Sequence, residues 1–248
     1  MSVHLKKWQD EEKALFKGWD FSYLDGRMTV DKPLWDYIEI ARSYVKNSRS
    51  LLDMGTGGGE KFSQVAPFPD HTVAIEGWEP NVPVAKEKLE PLGVQVLHTN
   101  SYDNHLPFKD EEFDTVLNRH SGYRASEVFR ILSPGGIFIT QQVRNDNYQD
   151  LVETFDSFMQ FPDWTLKNAQ RELEEAGMRI EKTQEWQGEA VFKDVGALVY
   201  FLKSTPWIVK DFSVERDLEV LEKLQKKIEE DGKVVFHPSL FFILAKKP

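Results

Sequence analysis

The 248-residue sequence contains no cysteine. That excludes disulfides, thiolate metal sites and any cysteine nucleophile. No apolar run approaches the roughly eighteen residues that a membrane-spanning helix needs. The opening stretch, MSVHLKKWQDEEKAL, has no apolar segment behind its lysines and does not read as a secretory leader. Basic charge is in deficit: 31 Lys and Arg against 41 Asp and Glu give a net charge of −10. Proteins that bind nucleic acid chiefly through phosphates usually present a basic surface. Here Lys and Arg are scattered, which argues against a nucleic-acid partner while leaving room for a local basic patch. Internal repeats and low-complexity linkers are also missing. A cytoplasmic protein without a membrane span, and long enough for one large domain, is the expectation.

From about residue 34 to 143, short apolar strands alternate with amphipathic helices. SLLDM, HTVAIE, VQVLHT, FDTVLNR and IFITQQV read as strands. Helical segments lie in PLWDYIEIARSYVK, in a stretch beginning at KFSQVA, in NVPVAKEKLEPLG closed by Gly93, and in RASEVFRILSPGG. Beyond them come a helix WTLKNAQRELEEAG, a strand MRIEKTQEW, two helices (DVGALVYFLKS and VERDLEVLEKLQKKIEEDG) and a closing strand VVFHPSLFFILAKK. This predicts an α/β fold: a doubly wound, mainly parallel sheet of seven strands with helices on both faces. A helical insertion, 194–231, precedes the last strand. It either caps a site at the carboxyl ends of the strands or covers a sheet edge. The domain is then read as a 1–33 arm, a 34–143 core and the 194–231 insertion.

Four glycines crowd the turn after the first of these strands, in 51-LLDMGTGGGEKF-62. Glycines at this density let a ligand approach the backbone. A dinucleotide fingerprint starting at Gly55 and Gly57 needs glycine at position 60, which is Glu60. A phosphate-binding loop needs a Gly-Lys-Ser/Thr ending, and GGGEKF lacks it. An uncharged or cationic ligand is easier beside Glu60.

The spacing that fits is Asp53-x-Gly55-x-Gly57-x-Gly59. Here the chain resembles the class I methyltransferases that use S-adenosylmethionine. The resemblance covers roughly residues 48 to 143. Glu76 ends the next strand, 23 residues beyond Asp53, and NSYDNHLPF, FDTVLNRH and RILSPGGIFIT are similar to later segments of that family. It implies S-adenosylmethionine as cofactor and a Rossmann-like fold. Gly55, Gly57 and Gly59 would let the backbone approach the methionine part and ribose, with Thr56 also a cofactor-binding residue and Asp53 holding the loop near the ammonium group. Glu76 would accept from the ribose hydroxyls, and Gly77 and Trp78 would lie by the adenine. Ser101 and Tyr102, where the family has Asp-Ala, would sit at the adenine edge, and Asn118 beside the sulfonium.

Methyl transfer asks the protein to align a nucleophile, exclude water and sometimes take a proton. In 118-NRHSGYR-124, His120 is the candidate catalytic base, and Arg119 or Arg124 can hold an anionic substrate. The aromatic stretch 18-GWDFSYLDGRM-28 either folds over the ligand through Tyr23 and Arg27 or packs on a sheet edge. The expected acceptor is a small molecule. An RNA methyltransferase and a catalytically silent binding scaffold are the alternatives. Without a cysteine, the thiol route to C5-methylated cytosine is closed.

Overall fold

The computed structural model describes residues 4–16 and 19–248, so Gly18 of the aromatic stretch lies outside the described residues. Its strands are β1 (Met28–Val30), β2 (Ser50–Met54), β3 (His71–Glu76), β4 (Gln95–His98), β5 (Phe113–Arg119), β6 (Leu132–Val143), β7 (Arg179–Gln187), β8 (Ala190–Phe192), β9 (Val234–Phe236) and β10 (Ser239–Lys246). Its helices are α1 (Leu5–Lys13), α2 (Tyr37–Val45), α3 (Val82–Leu89), α4 (Ala125–Ile131), α5 (Gln149–Thr154), α6 (Leu166–Glu175), α7 (Val195–Ser204) and α8 (Leu218–Asp231).

Seven strands form one sheet in the order β4-β3-β2-β5-β6-β10-β7. The contacts among β2 to β6 are parallel, and β10 runs antiparallel to both of its neighbours. Side chains alternate between the two faces, as a period of two requires. Leu51, Ala74, Leu117 and Ile139 join Ala41 and Val45 of α2 and Ala85 and Leu89 of α3 on one face. Leu52, Val73, Val116 and Phe138 join Val128 of α4 and Ala169 and Leu173 of α6 on the other. The sheet is therefore doubly wound, as the alternation predicts. The order reverses between β2 and β5, and such a switch point opens a crevice at the carboxyl ends of the strands.

A second core stands apart from the sheet. Trp8 of α1, Leu151 and Val152 of α5, most of α7 and the buried residues of α8 share one apolar cluster with β8 and β9. A three-stranded antiparallel sheet, β1-β8-β9, ties the N-terminal arm to this layer. Arg27 closes the tie: it donates to Asp194, at the start of α7, at 2.7 and 2.9 Å, and to Glu11 of α1 at 2.7 Å.

Several boundaries differ from the sequence reading. The 194–231 insertion holds α7 and α8, as read, but the short strands β8 and β9 that flank it are not separated in the sequence reading. VVFHPSLFFILAKK breaks at His237-Pro238 into two strands belonging to two different sheets, because proline cannot donate to a ladder. KFSQVA forms only a short 3-10 turn, Phe62–Val65. No periodicity announced α1, α5 or β1.

Candidate active site

The crevice holds a cavity of about 730 Å3. Its floor is the β2 turn. The N–H groups of Gly55 and Thr56 both donate to the Ile75 carbonyl, at 2.9 and 3.0 Å. Glu76, at the end of β3, accepts from Gly57 N–H at 2.6 Å through one carboxylate oxygen and from Trp78 N–H at 2.7 Å through the other. One acid therefore clamps the glycine turn to the end of β3. An ionised carboxylate offers about four lone-pair sites, so the Glu76 oxygens retain acceptor capacity. Gly55, Gly57 and Gly59 all hold positive φ, and only Gly57 would point a Cβ at nearly open space, with Trp19 Cβ 3.7 Å away.

Asp53 and Glu76 both line the cavity, and both are 7% exposed. Burial, with the Glu76 charge adding to it, raises the Asp53 carboxyl to about 7. Burial also raises Glu76, opposed by the backbone N–H groups that it accepts from. Two neighbouring polar atoms, Thr56 Oγ1 and Tyr37 Oη, are buried without a hydrogen-bond partner among the described residues, and both residues line the cavity. Buried polar groups normally find partners. A glycine cradle and two acids, with the Thr56 and Tyr37 hydroxyls beside them, suit a ligand with hydroxyls and a positive charge. The cofactor implied by the sequence has both features, so these residues fit it.

The raised Asp53 carboxyl predicts a pH effect on the ligand-free protein. In the unfolded chain an aspartate ionises near pH 3.9. Between that pH and about 7 the folded state binds the extra proton, so stability falls as pH rises through this window. Above about 7 the burial cost stays. Asp53→Asn removes it, and should leave the protein more stable than wild type at pH 8 and closer to it at pH 5, in urea titrations without ligand.

The remaining candidates divide by strand geometry. Leu117 and Arg119 line the cavity, so Asn118 between them points to the opposite face. There it is fully buried, donating to Met54 O at 3.1 Å and accepting from Thr140 Oγ1 at 3.0 Å and from Gln142 Nε2. Ser101 is one layer back, bonded to Ser121 Oγ at 2.7 Å and Gly122 O at 2.8 Å, and Ser121 lines the wall in its place. Tyr102 is half exposed under the Arg124 guanidinium, so neither residue reaches the cavity. Gly77 packs against Asn100 outside the lining, whereas Trp78 is on the rim. His120 lines the cavity beside Arg119.

The walls come from beyond the core. Phe16 and Trp19 of the arm and Lys203, Ser204, Pro206 and Trp207 of the insertion line the cavity, with the Trp19 and Trp207 rings stacked at 5.6 Å. Tyr23 and Arg27 are not among the lining residues. Tyr23 lies against Tyr200, and Arg27 serves the arm–insertion tie. Sequence reasoning named the right arm but not Phe16 or Trp19, since aromatic residues three apart carry no directional signal.

Residues 52–140 match the family described as "Methyltransferase domain". The ubiquinone/menaquinone biosynthesis C-methyltransferase UbiE of Photorhabdus laumondii is 24% identical over 137 residues, covering 50% of this chain and 55% of that protein. The chain spans about half the length of the curated relatives it matches. A protein of Bacillus halodurans C-125, described as a candidate methyltransferase, shares the fold at a TM-score of 0.62 and 20% identity, over 85% of this chain and 98% of that one. A geranyl diphosphate methyltransferase bound to GPP and sinefungin does so at 0.51 and 14% identity, over 85% and 77%. Over residues 52–140 the chain is therefore similar to methyltransferase domains of class I, the S-adenosylmethionine-dependent group.

Proposed function

We propose that the protein transfers a methyl group from S-adenosylmethionine to a small-molecule acceptor held in the same cavity. The observation that carries this reading is the Asp53–Glu76 floor beneath a glycine cradle, with Arg119 and His120 on the adjoining strand end. When bound, S-adenosylmethionine supplies a methyl on a positively charged sulfur, a good electrophile that needs no enzyme nucleophile. Glu76 would accept from the ribose hydroxyls and Asp53 would face the ammonium, while Thr56 and the Gly57 turn would follow the methionine part. Trp78 would lie along the adenine. The arm and the insertion act as the cap of the earlier expectation, excluding water through Phe16, Trp19, Pro206 and Trp207. Leu198, Tyr200 and Phe201 of α7 are buried in the accessory core; the far end of α7 and the turn after it line the cavity. A cavity of about 730 Å3 suits a cofactor plus a modest acceptor.

A ligand that binds only the folded state raises the unfolding temperature by mass action. S-adenosylmethionine or S-adenosylhomocysteine should raise it in a thermal-shift assay, and NAD should leave it unmoved. The reverse ranking would remove the methyltransferase reading.

A further inference from the structure

Arg119 and His120 stand together at the carboxyl end of β5, and the structure constrains what His120 can do. Trp35 Nε1 donates to Gln141 Oε1 at 2.8 Å, in a buried bond. An indole N–H is only ever a donor, so the Gln141 oxygen must face Trp35. The Gln141 amide nitrogen then faces His120 Nε2, at 2.9 Å. An amide nitrogen only donates, so Nε2 is the accepting, unprotonated ring atom and the neutral ring carries its proton on Nδ1. The backbone holds the residue in place as well: His120 N–H donates to Gln141 O at 2.8 Å, and His120 takes the left-handed conformation at φ 55. Burial, then the Arg119 charge, hold the imidazole well below its ordinary pKa, so it is neutral. Its one basic lone pair is occupied by Gln141. A general base needs that lone pair free.

Arg119 has the complementary property. Arg119 lines the cavity, and its guanidinium has neither a hydrogen bond nor an ion pair within 4.0 Å among the described residues, although Tyr37 and Asp53 act on it electrostatically. A desolvated guanidinium with free donors suits a planar oxyanion.

Resting on the methyltransferase reading above, we propose that Arg119 and the Nδ1–H of His120 form a donor pair for an acidic oxygen of the methyl acceptor. The acceptor class is an organic acid, with its apolar part toward Phe16, Trp19 and Trp207. Trp35 and Gln141 are positioning residues that fix the tautomer. His120 is thereby a recognition residue and not the base of the earlier expectation.

The test uses the full chain. Histidine side-chain 15N spectra at pH 7, with the His120 signals assigned by His120→Asn, should show the Nδ1–H pattern. Gln141→Met should lose it, and a Trp35→Phe variant should weaken it. An Nε2–H pattern in wild type overturns the proposal. With S-adenosylhomocysteine saturating, benzoate should bind at least tenfold more tightly than benzamide, and Arg119→Gln should erase that preference. Equal binding of the two probes by wild type overturns the proposal. The donor's own carboxylate is the rival anion. If Arg119→Gln weakens S-adenosylhomocysteine tenfold but spares 5′-methylthioadenosine, which lacks the amino-acid part, the anion belongs to the donor and the proposal is overturned. Failure of wild type to bind S-adenosylhomocysteine at all would instead remove the methyltransferase reading on which the proposal stands.

Discussion

Replacing Glu76 by alanine is expected to weaken S-adenosylhomocysteine binding by well over tenfold. On the proposed function the carboxylate accepts from two vicinal ribose hydroxyls, while it clamps Gly57 N–H and Trp78 N–H. A hydrogen bond to a charged group contributes roughly 1.5–3 kcal/mol, and about 1.4 kcal/mol is a factor of ten. Losing both ribose contacts therefore exceeds tenfold before any loosening of the turn is counted. Sequence alone suggests that Glu76→Gln would fall midway. The structure moves that expectation: each carboxylate oxygen already accepts a backbone N–H, so a glutamine NH2 must confront one of them donor to donor. Glu76→Gln should then lie nearer to alanine than to wild type. Calorimetry on the three proteins decides this. Wild-type affinity in Glu76→Ala would show that β3 does not present its end to the ligand, and the assignments of Gly77 and Trp78 would fall with it.

The second large effect separates two glycines two residues apart. At Gly55 a Cβ would come within 2.3 Å of Ser121 Cβ and Oγ, at φ 74. At Gly57 the φ is 63, but the nearest atom would be Trp19 Cβ at 3.7 Å. A left-handed conformation costs a non-glycine residue roughly 1–2 kcal/mol, and overpacking typically adds about 1–3 kcal/mol. Gly55→Ala should thus lose roughly 2–5 kcal/mol of stability in urea unfolding. Gly57→Ala should lose only the conformational part, but its methyl enters the cavity, so donor affinity should drop out of proportion. Equal stability losses in the two variants would contradict this division of labour.

Much of this architecture was legible because it repeats a strong pattern. SLLDM, HTVAIE and FDTVLNR are buried parallel strands, and their near-continuous apolar character marks them without any partner being known. Gly93 ends the 3-10 turn Glu90–Leu92 that follows α3, and Gly177 follows α6, both at positive φ, as glycines after a helical pattern should. Legibility failed where an element is short or its identity depends on distant chain. β1, β8 and β9 have three residues each, too few to show a period. At the site, Asp53, Gly55, Thr56, Gly57, Glu76, Trp78 and His120 all reach one cavity. Asn118 does not, because placing it by motif ignored the alternation that sends Leu117 and Arg119 to the cavity side. Ser101 and Tyr102 follow a less regular connection, where one residue of slippage exchanges a wall position for the layer behind it. The Trp35–Gln141–His120 chain was invisible in sequence, since its members are 106 and 21 residues apart and meet only across the folded sheet.

The tie between arm and insertion also sets an order of events during synthesis. Arg27 and Asp194 are 167 residues apart, and β1 has no strand to pair with until β8 has emerged. At roughly 5–20 residues per second on the ribosome, the arm waits on the order of ten seconds or more for its partners. Closing so long a loop is a late step. Through that interval Trp8, Phe16 and Phe21 have no accessory core to enter, so the nascent arm presents apolar side chains that a chaperone can hold.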